Sequence, residues 1–226
     1  MTEHNEPKSL KVWDPIVRIG HWAIVIGVLT AYFSGDESRS VHTTAGYVVA
    51  GVVLFRLLWG VIGTRHARFS DFVRGPGAVI GYLKDIASGK GKRFIGHNPA
   101  GGAMILALLF SMLVTTGSGM ALYAMDEGKG PLAPVIAMQV DANGTAAPAT
   151  TSGYESHEED DDDHESEEHE GHASGPLGTL YNIHKIFTYL TLGLAGLHVI
   201  GVIVSSRAHG ENLAKAMVTG RKREQL

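Results

Sequence analysis

Residues 177–205 read LGTLYNIHKIFTYLTLGLAGLHVIGVIVS, an apolar run with one lysine and two histidines. An α-helix rises about 1.5 Å per residue, so about 20 apolar residues cross the ~30 Å hydrocarbon core of a bilayer. Three further runs have this length and character, at roughly 16–34, 41–63 and 102–124. The alternative, four buried helices of a soluble protein, is disfavoured because the runs hold most of the apolar residues. The sequence therefore predicts an all-α fold, a transmembrane four-helix bundle.

The charge of the chain is divided between two very different parts. The 226 residues carry a formal net charge of −4, and the mean hydropathy is +0.05. Eleven acidic residues and no basic one lie between Glu155 and Glu170, and the remaining chain has a formal charge of +7. The averages therefore describe neither part. The absence of cysteine excludes disulfides, cysteine-ligated zinc, iron–sulfur clusters and covalently attached c-type haem.

Lysine and arginine counts predict how the chain crosses the membrane. The N-terminal end, the segment between the second and third runs and the C-terminal tail contain fifteen of these residues. The two other connections, which lie on the opposite side of the membrane, contain only Arg39 and Lys129. Because cytoplasmic loops are enriched in Lys and Arg, both termini are expected in the cytoplasm and the acidic segment outside, in a bacterial inner membrane. The expected regions are a cytoplasmic tail (1–15), three helices (16–124) with a basic cytoplasmic loop (64–101), a long, mostly disordered acidic exterior insertion (125–176), a fourth helix (177–205) and a basic cytoplasmic tail (206–226).

Four of the twelve histidines fall inside the predicted helices. The alternating helix directions place His42 and His184 near the outer face, and His21 and His198 near the cytoplasmic face. His184 and His198 are 14 residues apart. This spacing falls about 40° short of four helical turns and separates them by about 21 Å. Both therefore point the same way from one helix, at two levels of the membrane.

Paired histidines at two depths indicate two planar cofactors. A single membrane histidine is as often a hydrogen-bonded interior residue, but four require a joint explanation. Zinc would need further ligands at each level, and a proton relay would not need pairs at equal depth. Non-covalent haem b takes one axial histidine from each of two helices. We predict two bis-histidine haems, an inner pair formed by His21 with His198 and an outer pair formed by His42 with His184.

Two arginines and two glycines lie where they could help to bind these cofactors. Arg56 lies 14 residues after His42, and Arg18 lies one turn before His21, so both could pair with propionates of the inner haem. Equally, both could extend to the membrane interface. Gly46 and Gly201 share helical faces with His42 and His198, where a missing side chain would admit a macrocycle or serve helix packing.

Several motifs resemble those of the bacterial cytochrome b561 and nickel–iron hydrogenase cytochrome b family. They are RIGHW at 18–22, HTTAGY at 42–47, RLLWG at 56–60, GHNPAGG at 96–102 and the histidine pair of the fourth helix. The resemblance implies a four-helix, dihaem membrane cytochrome that transfers electrons between a quinone pool and a redox partner in a respiratory chain. The implied partners are a periplasmic c-type cytochrome or a hydrogenase or dehydrogenase subunit, besides membrane lipid and quinone; no nucleic acid is expected.

Alternative functions remain open at this stage. Relatives that act as superoxide:quinone oxidoreductases would need a positively charged outer surface, against which the acidic insertion argues. A metal or proton transporter would bind no haem.

The acidic insertion has three possible roles. Its histidines could bind a metal ion loosely, or its carboxylates could attract a basic cytochrome. Equally, the insertion could be a solvated spacer that binds no specific partner. The quinone site is expected near His97, which could equally order the start of the third helix. Residues 78–87 are expected as a short interfacial helix or a packed connector.

Overall fold

The fold is dominated by four long helices. The computed structural model describes residues 9–143 and 175–223 of the chain. Within these ranges a short strand, β1 (Ser9–Lys11), precedes eight helices and a second strand, β2 (Arg221–Arg223). The helices are α1 (Pro15–Phe33), α2 (Arg39–Ile62), α3 (Phe69–Phe72), α4 (Pro76–Ala87), α5 (Pro99–Glu127), α6 (Ala133–Asn143), α7 (Pro176–His209) and α8 (Leu213–Thr219).

Four of these helices, α1, α2, α5 and α7, are long and apolar enough to cross a membrane. Their bounds lie within a few residues of the four predicted runs, so the predicted all-α four-helix architecture is confirmed. Proline stands at the first position of α1, α4, α5 and α7. At this position the missing N–H costs nothing and the fixed φ favours the helix. Residues 78–87, expected as a helix or a connector, belong to helix α4.

The chain forms two compact units, residues 1–117 with 183–226 and residues 118–182. The second unit contains the end of α5, helix α6 and the start of α7. Helix α6 gives regular structure to part of the predicted insertion, which was expected to be mostly disordered. The acidic stretch between Glu155 and Glu170 lies outside the described residues.

The apolar core of the first unit joins three of the long helices. Val49 and Val53 of α2 are buried against Leu109 and Met112 of α5, and residues of α1 pack around them. A Cβ added at Gly27 of α1 would lie 2.7 Å from the Val49 side chain. This glycine therefore lets α1 and α2 approach closely, as small residues do between membrane helices.

Helix α7 is joined to α5 by polar contacts. The hydroxyls of Ser111 and Thr191 form a hydrogen bond, and both residues are buried. The Thr191 hydroxyl also donates to the Phe187 carbonyl at 2.8 Å. Hydroxyls paired in this way satisfy one another where no water is available, so α7 is held to α5 without an unsatisfied polar group.

The two ends of the described chain pair with each other. Strands β1 and β2 are antiparallel, with Leu10 opposite Lys222. Helix α8 ends at Gly220, whose φ of 80° is a left-handed conformation that favours glycine. Trp13 and Val12 pack against Ala216 of α8. We call this side of the first unit, where β1, β2 and α8 lie, the terminal end.

Lys222 is a buried cation that ties β2 to the segment before α5. Its Nζ donates to the carbonyls of Phe94 at 3.3 Å and Gly96 at 3.4 Å and lies 5.5 Å from the centre of the Trp13 ring. We expect Lys222→Met to lower the free energy of unfolding by about 1–3 kcal/mol, because both carbonyls lose a charged donor. Thermal unfolding of the detergent-solubilised protein measures the change. The exposed Lys215→Met is the matched control, and equal melting temperatures for the two variants would contradict the prediction.

Candidate haem sites

The inner pair is formed by rings from the first and the last long helix. His21 of α1 and His198 of α7 face each other with ring centroids 6.4 Å apart. Both residues are half-buried. The Nδ1 atom of His21 is buried and has no hydrogen-bond partner among the described residues.

The outer pair is formed by rings from the second and the last long helix. His42 of α2 and His184 of α7 have ring centroids 6.0 Å apart. The Nδ1 atom of His42 lies 2.7 Å from the Ala31 carbonyl oxygen, and that of His184 lies 2.9 Å from the Thr115 carbonyl oxygen. An Nδ1–H that donates to a carbonyl leaves Nε2 as the acceptor atom. This is the tautomer that binds a metal through Nε2.

The separations within both pairs fit one metal ion between two imidazoles. A metal–nitrogen bond of about 2.1 Å, plus about 1.1 Å from a ring nitrogen to the ring centre, gives centroids about 6.4 Å apart. The observed 6.4 and 6.0 Å agree with this estimate. The described residues contain no group of three or more His, Cys, Asp or Glu side chains that could hold a metal ion. Each pair therefore offers an ion two imidazole ligands, the number that bis-histidine ligation of haem iron requires.

The glycines singled out beside the ligands face open space. A Cβ added at Gly46, four residues after His42, would meet no other atom within 4 Å, and the same holds at Gly201, three residues after His198. Gly51 of α2 and Gly193 and Gly196 of α7 face open space in the same way, so this feature is shared by several helical glycines.

The two arginines predicted for the inner haem have different surroundings. Arg18 donates from Nε to the Met217 carbonyl at 3.2 Å and from Nη2 to the Val218 carbonyl. It thereby satisfies carbonyls at the C-terminal end of α8, a role that lysine and arginine commonly have. Arg56 lies over the Phe69 ring, 5.2 Å from its centre, and its Nη1 atom is buried without a hydrogen-bond partner among the described residues. Arg56 is therefore the arginine with a donor still available.

His97 lies in an aromatic enclosure at the terminal end. Its ring centre is 4.5 Å from that of Trp13 and 4.6 Å from that of Phe72. Asn98, the next residue, caps α5 by accepting the Gly101 N–H at 2.7 Å. Helix α5 therefore begins at Pro99, inside the segment 64–101 that was predicted as a loop. The enclosure and the cap together fix the position of the His97 ring.

The imidazole of His97 is neutral at physiological pH. Its pKa is lowered from 6.5 to about 3, mainly by burial and to a smaller extent by the nearby cations Arg56 and Lys222. Below pH 6.5 the unfolded chain binds a proton at this position that the folded chain does not bind. The free energy of unfolding of the haem-free protein therefore falls as the pH drops from 6.5 towards 3.

We expect the ¹⁵N resonances of His97 in the haem-free protein to keep their neutral values at pH 5, where an exposed histidine is charged. Free histidine titrated in the same buffer provides the comparison. Titration of His97 near pH 6.5 would contradict the expectation. As an independent check, His97→Phe is expected to remove part of the acid destabilisation.

Sequence reasoning missed the groups that orient the outer pair. The acceptors are main-chain carbonyls of Ala31 and Thr115. Every residue has such a carbonyl, so no residue type marks them. It also missed the contacts of Trp13, which appears in the sequence as an isolated aromatic in a polar tail.

The four apolar helices define a helical membrane protein in which four histidines face one another in two pairs. A sequence profile described as "Prokaryotic cytochrome b561" matches residues 12–220. The chain therefore belongs to the prokaryotic cytochrome b561 family.

Three curated relatives are named "Probable Ni/Fe-hydrogenase B-type cytochrome subunit". The protein of Rhizobium leguminosarum bv. viciae is 28% identical over 55% of this chain and 64% of its own length. That of Azotobacter chroococcum mcd 1 is 29% identical over 54% and 62%, and that of Azotobacter vinelandii is 30% identical over 54% and 62%. The chain thus covers slightly less than two thirds of each relative. No solved structure gives a significant match.

With four helices that could cross a membrane, the protein is a multi-pass bacterial membrane protein of this cytochrome family. This confirms the family predicted from the motifs.

Proposed function

We propose that this cytochrome transfers electrons across the bacterial inner membrane between the quinone pool and a redox partner, through two haems. The inner haem would be held by His21 and His198, and the outer haem by His42 and His184. The observation that carries the proposal is the pairing of these rings at 6.4 and 6.0 Å, each between α7 and another helix. Bound haem supplies iron that alternates between the ferric and ferrous states, one electron at a time.

The residues of the chain orient the ligands and limit the chemistry. The carbonyls of Ala31 and Thr115 hold the outer rings in the tautomer that presents Nε2. Each haem would be held by two imidazoles, His21 with His198 or His42 with His184, and iron held in this way would transfer electrons rather than bind oxygen.

The partner is proposed from the names of the relatives. Proteins named as cytochrome subunits of Ni/Fe-hydrogenases are 28–30% identical to about half of this chain. We propose a hydrogenase-like dehydrogenase as the partner on the exterior side. A periplasmic c-type cytochrome is the other outcome that the test below can give.

Spectroscopy of the purified protein tests the proposal. We expect two haem b per chain by pyridine haemochrome analysis, low-spin spectra typical of bis-histidine ligation, and reduction of both haems by a quinol. A colourless protein, or one haem per chain, would overturn the dihaem assignment. Failure of quinols to reduce the haems, with rapid reduction by superoxide, would favour the superoxide:quinone oxidoreductase alternative. Copurification from membranes then identifies the exterior partner as a dehydrogenase or a c-type cytochrome.

A further inference from the structure

The buried polar atoms without a hydrogen-bond partner among the described residues include Nη1 of Arg56, Nδ1 of His97, Nε1 of Trp59 and Nε2 of His209. The first two lie around one aromatic ring. A buried donor without a partner costs about 1–3 kcal/mol, and more for a charged group, so unsatisfied groups are few in native proteins. Two of them in one region require an explanation.

The two groups lie against the same aromatic ring. The guanidinium carbon of Arg56 is 6.0 Å from the centre of the Phe72 ring, and the His97 ring centre is 4.6 Å from it. Phe72 itself is 2% exposed. Arg56 and His97 are also close enough for the charge of Arg56 to act on the imidazole. A cation and a neutral ring thus line one apolar enclosure.

Their chemistry selects an anion. Arg56 is a permanent cation whose planar fork matches a carboxylate. A neutral imidazole can carry its hydrogen on Nδ1 and donate it.

The neighbouring charged groups at this end already have partners. The Nζ of Lys222 donates to the carbonyls of Phe94 and Gly96, and His66 is 3.1 Å from Asp71. Arg18 is committed to α8. Around the Phe72 ring, Arg56 and His97 thus each keep a buried nitrogen without a partner among the described residues.

We propose that Arg56 and His97 together form a carboxylate-binding site that takes one propionate of the inner haem. This inference rests on the proposed function and extends it by naming His97 as the second donor. Arg56 comes from α2 and His97 from the segment before α5, whereas the histidines that would bind the iron come from α1 and α7. Four separate parts of the chain would thus hold the haem. Two of them would bind its iron, and the other two would bind one of its propionates.

Haem binding to the inner site alone tests the inference. In a His42→Ala background the outer pair is broken, so added iron protoporphyrin IX reports the inner site. We expect Arg56→Leu and His97→Phe each to weaken binding by about tenfold or more, as the loss of a charge-assisted hydrogen bond would. His97→Phe keeps an aromatic ring between Trp13 and Phe72. The exposed Arg65→Leu is the matched control and should bind haem like the His42→Ala parent.

The dimethyl ester of iron protoporphyrin IX distinguishes a propionate from any other occupant. Its carboxylates are blocked, so we expect it to bind the parent weakly and the Arg56→Leu variant with the same weak affinity. If the ester binds the parent as tightly as the free acid while the variants are weakened, the site takes another anion, such as phosphate, and the inference is overturned. Equal weakening of acid and ester by Arg56→Leu would show a merely structural role and overturn it too.

Failure of this inference is separable from failure of the proposed function. A His42→Ala parent that binds haem while both variants match it overturns only the carboxylate site. A parent that binds no haem overturns the histidine pairing, and the carboxylate site with it.

Discussion

Replacing His198 by alanine is expected to remove the inner haem and to leave the outer haem in place. The ring of His198 faces that of His21, with centroids 6.4 Å apart. Without His198 only His21 could bind the inner iron, and a haem bound through one histidine is held far less tightly than one bound through two. The haem content should fall from two to one per chain, with the remaining haem still low-spin. Pyridine haemochrome analysis and electron paramagnetic resonance of the purified variant measure the two quantities.

Two further variants make this expectation specific. His21→Ala should give the same spectrum as His198→Ala, because both remove one ligand of the same pair, whereas His42→Ala should remove the other haem. His209→Ala is the matched control, since this residue lies on the same helix α7 and faces neither pair. Retention of both haems by His198→Ala would refute the pairing.

Replacing Glu211 by alanine is expected to lower the free energy of unfolding by about 3 kcal/mol. Glu211 forms an ion pair with Arg93, whose Nε donates to the carboxylate at 2.9 Å. The two side chains are only 15% and 10% exposed. The pair joins the segment before α5 to the segment before α8. Removing the carboxylate takes an opposing charge away from a guanidinium that has little access to water, which is the costly way to break such a pair.

Thermal unfolding in detergent, compared between variants, measures this loss. The exposed Glu37→Ala is the matched control and should change stability by less than about 0.5 kcal/mol. The double variant Arg93→Met with Glu211→Met should be more stable than Glu211→Ala, because it removes both charges and retains apolar volume. A Glu211→Ala variant as stable as Glu37→Ala would show that the pair contributes nothing.

The long helices and the histidine pairs could be predicted because each depends on local, periodic features. An apolar run of about 20 residues has few alternatives to a spanning helix. The spacing between His184 and His198, with the direction of each helix, was enough to predict which histidines meet. The structure brings together the same two pairs.

The terminal end could not be predicted, because its contacts join residues that are between 126 and 200 positions apart in the sequence. Arg18 donates to carbonyls of α8. In the sequence it is simply a basic residue beside a membrane helix. Lys222 likewise counted only as a charge in a basic tail, although it is buried against the carbonyls of Phe94 and Gly96. Strands of three residues carry no periodic signal, so β1 and β2 were also missed.

Helix α7 supplies one histidine to each pair, and this has a consequence for biosynthesis. It is the last of the four long helices to leave the ribosome. Until it enters the membrane, the nascent chain offers only one imidazole at each level, His21 at one and His42 at the other. Both cofactors would therefore be captured late and close together in time, and a chain arrested before residue 176 would reach quality control without either.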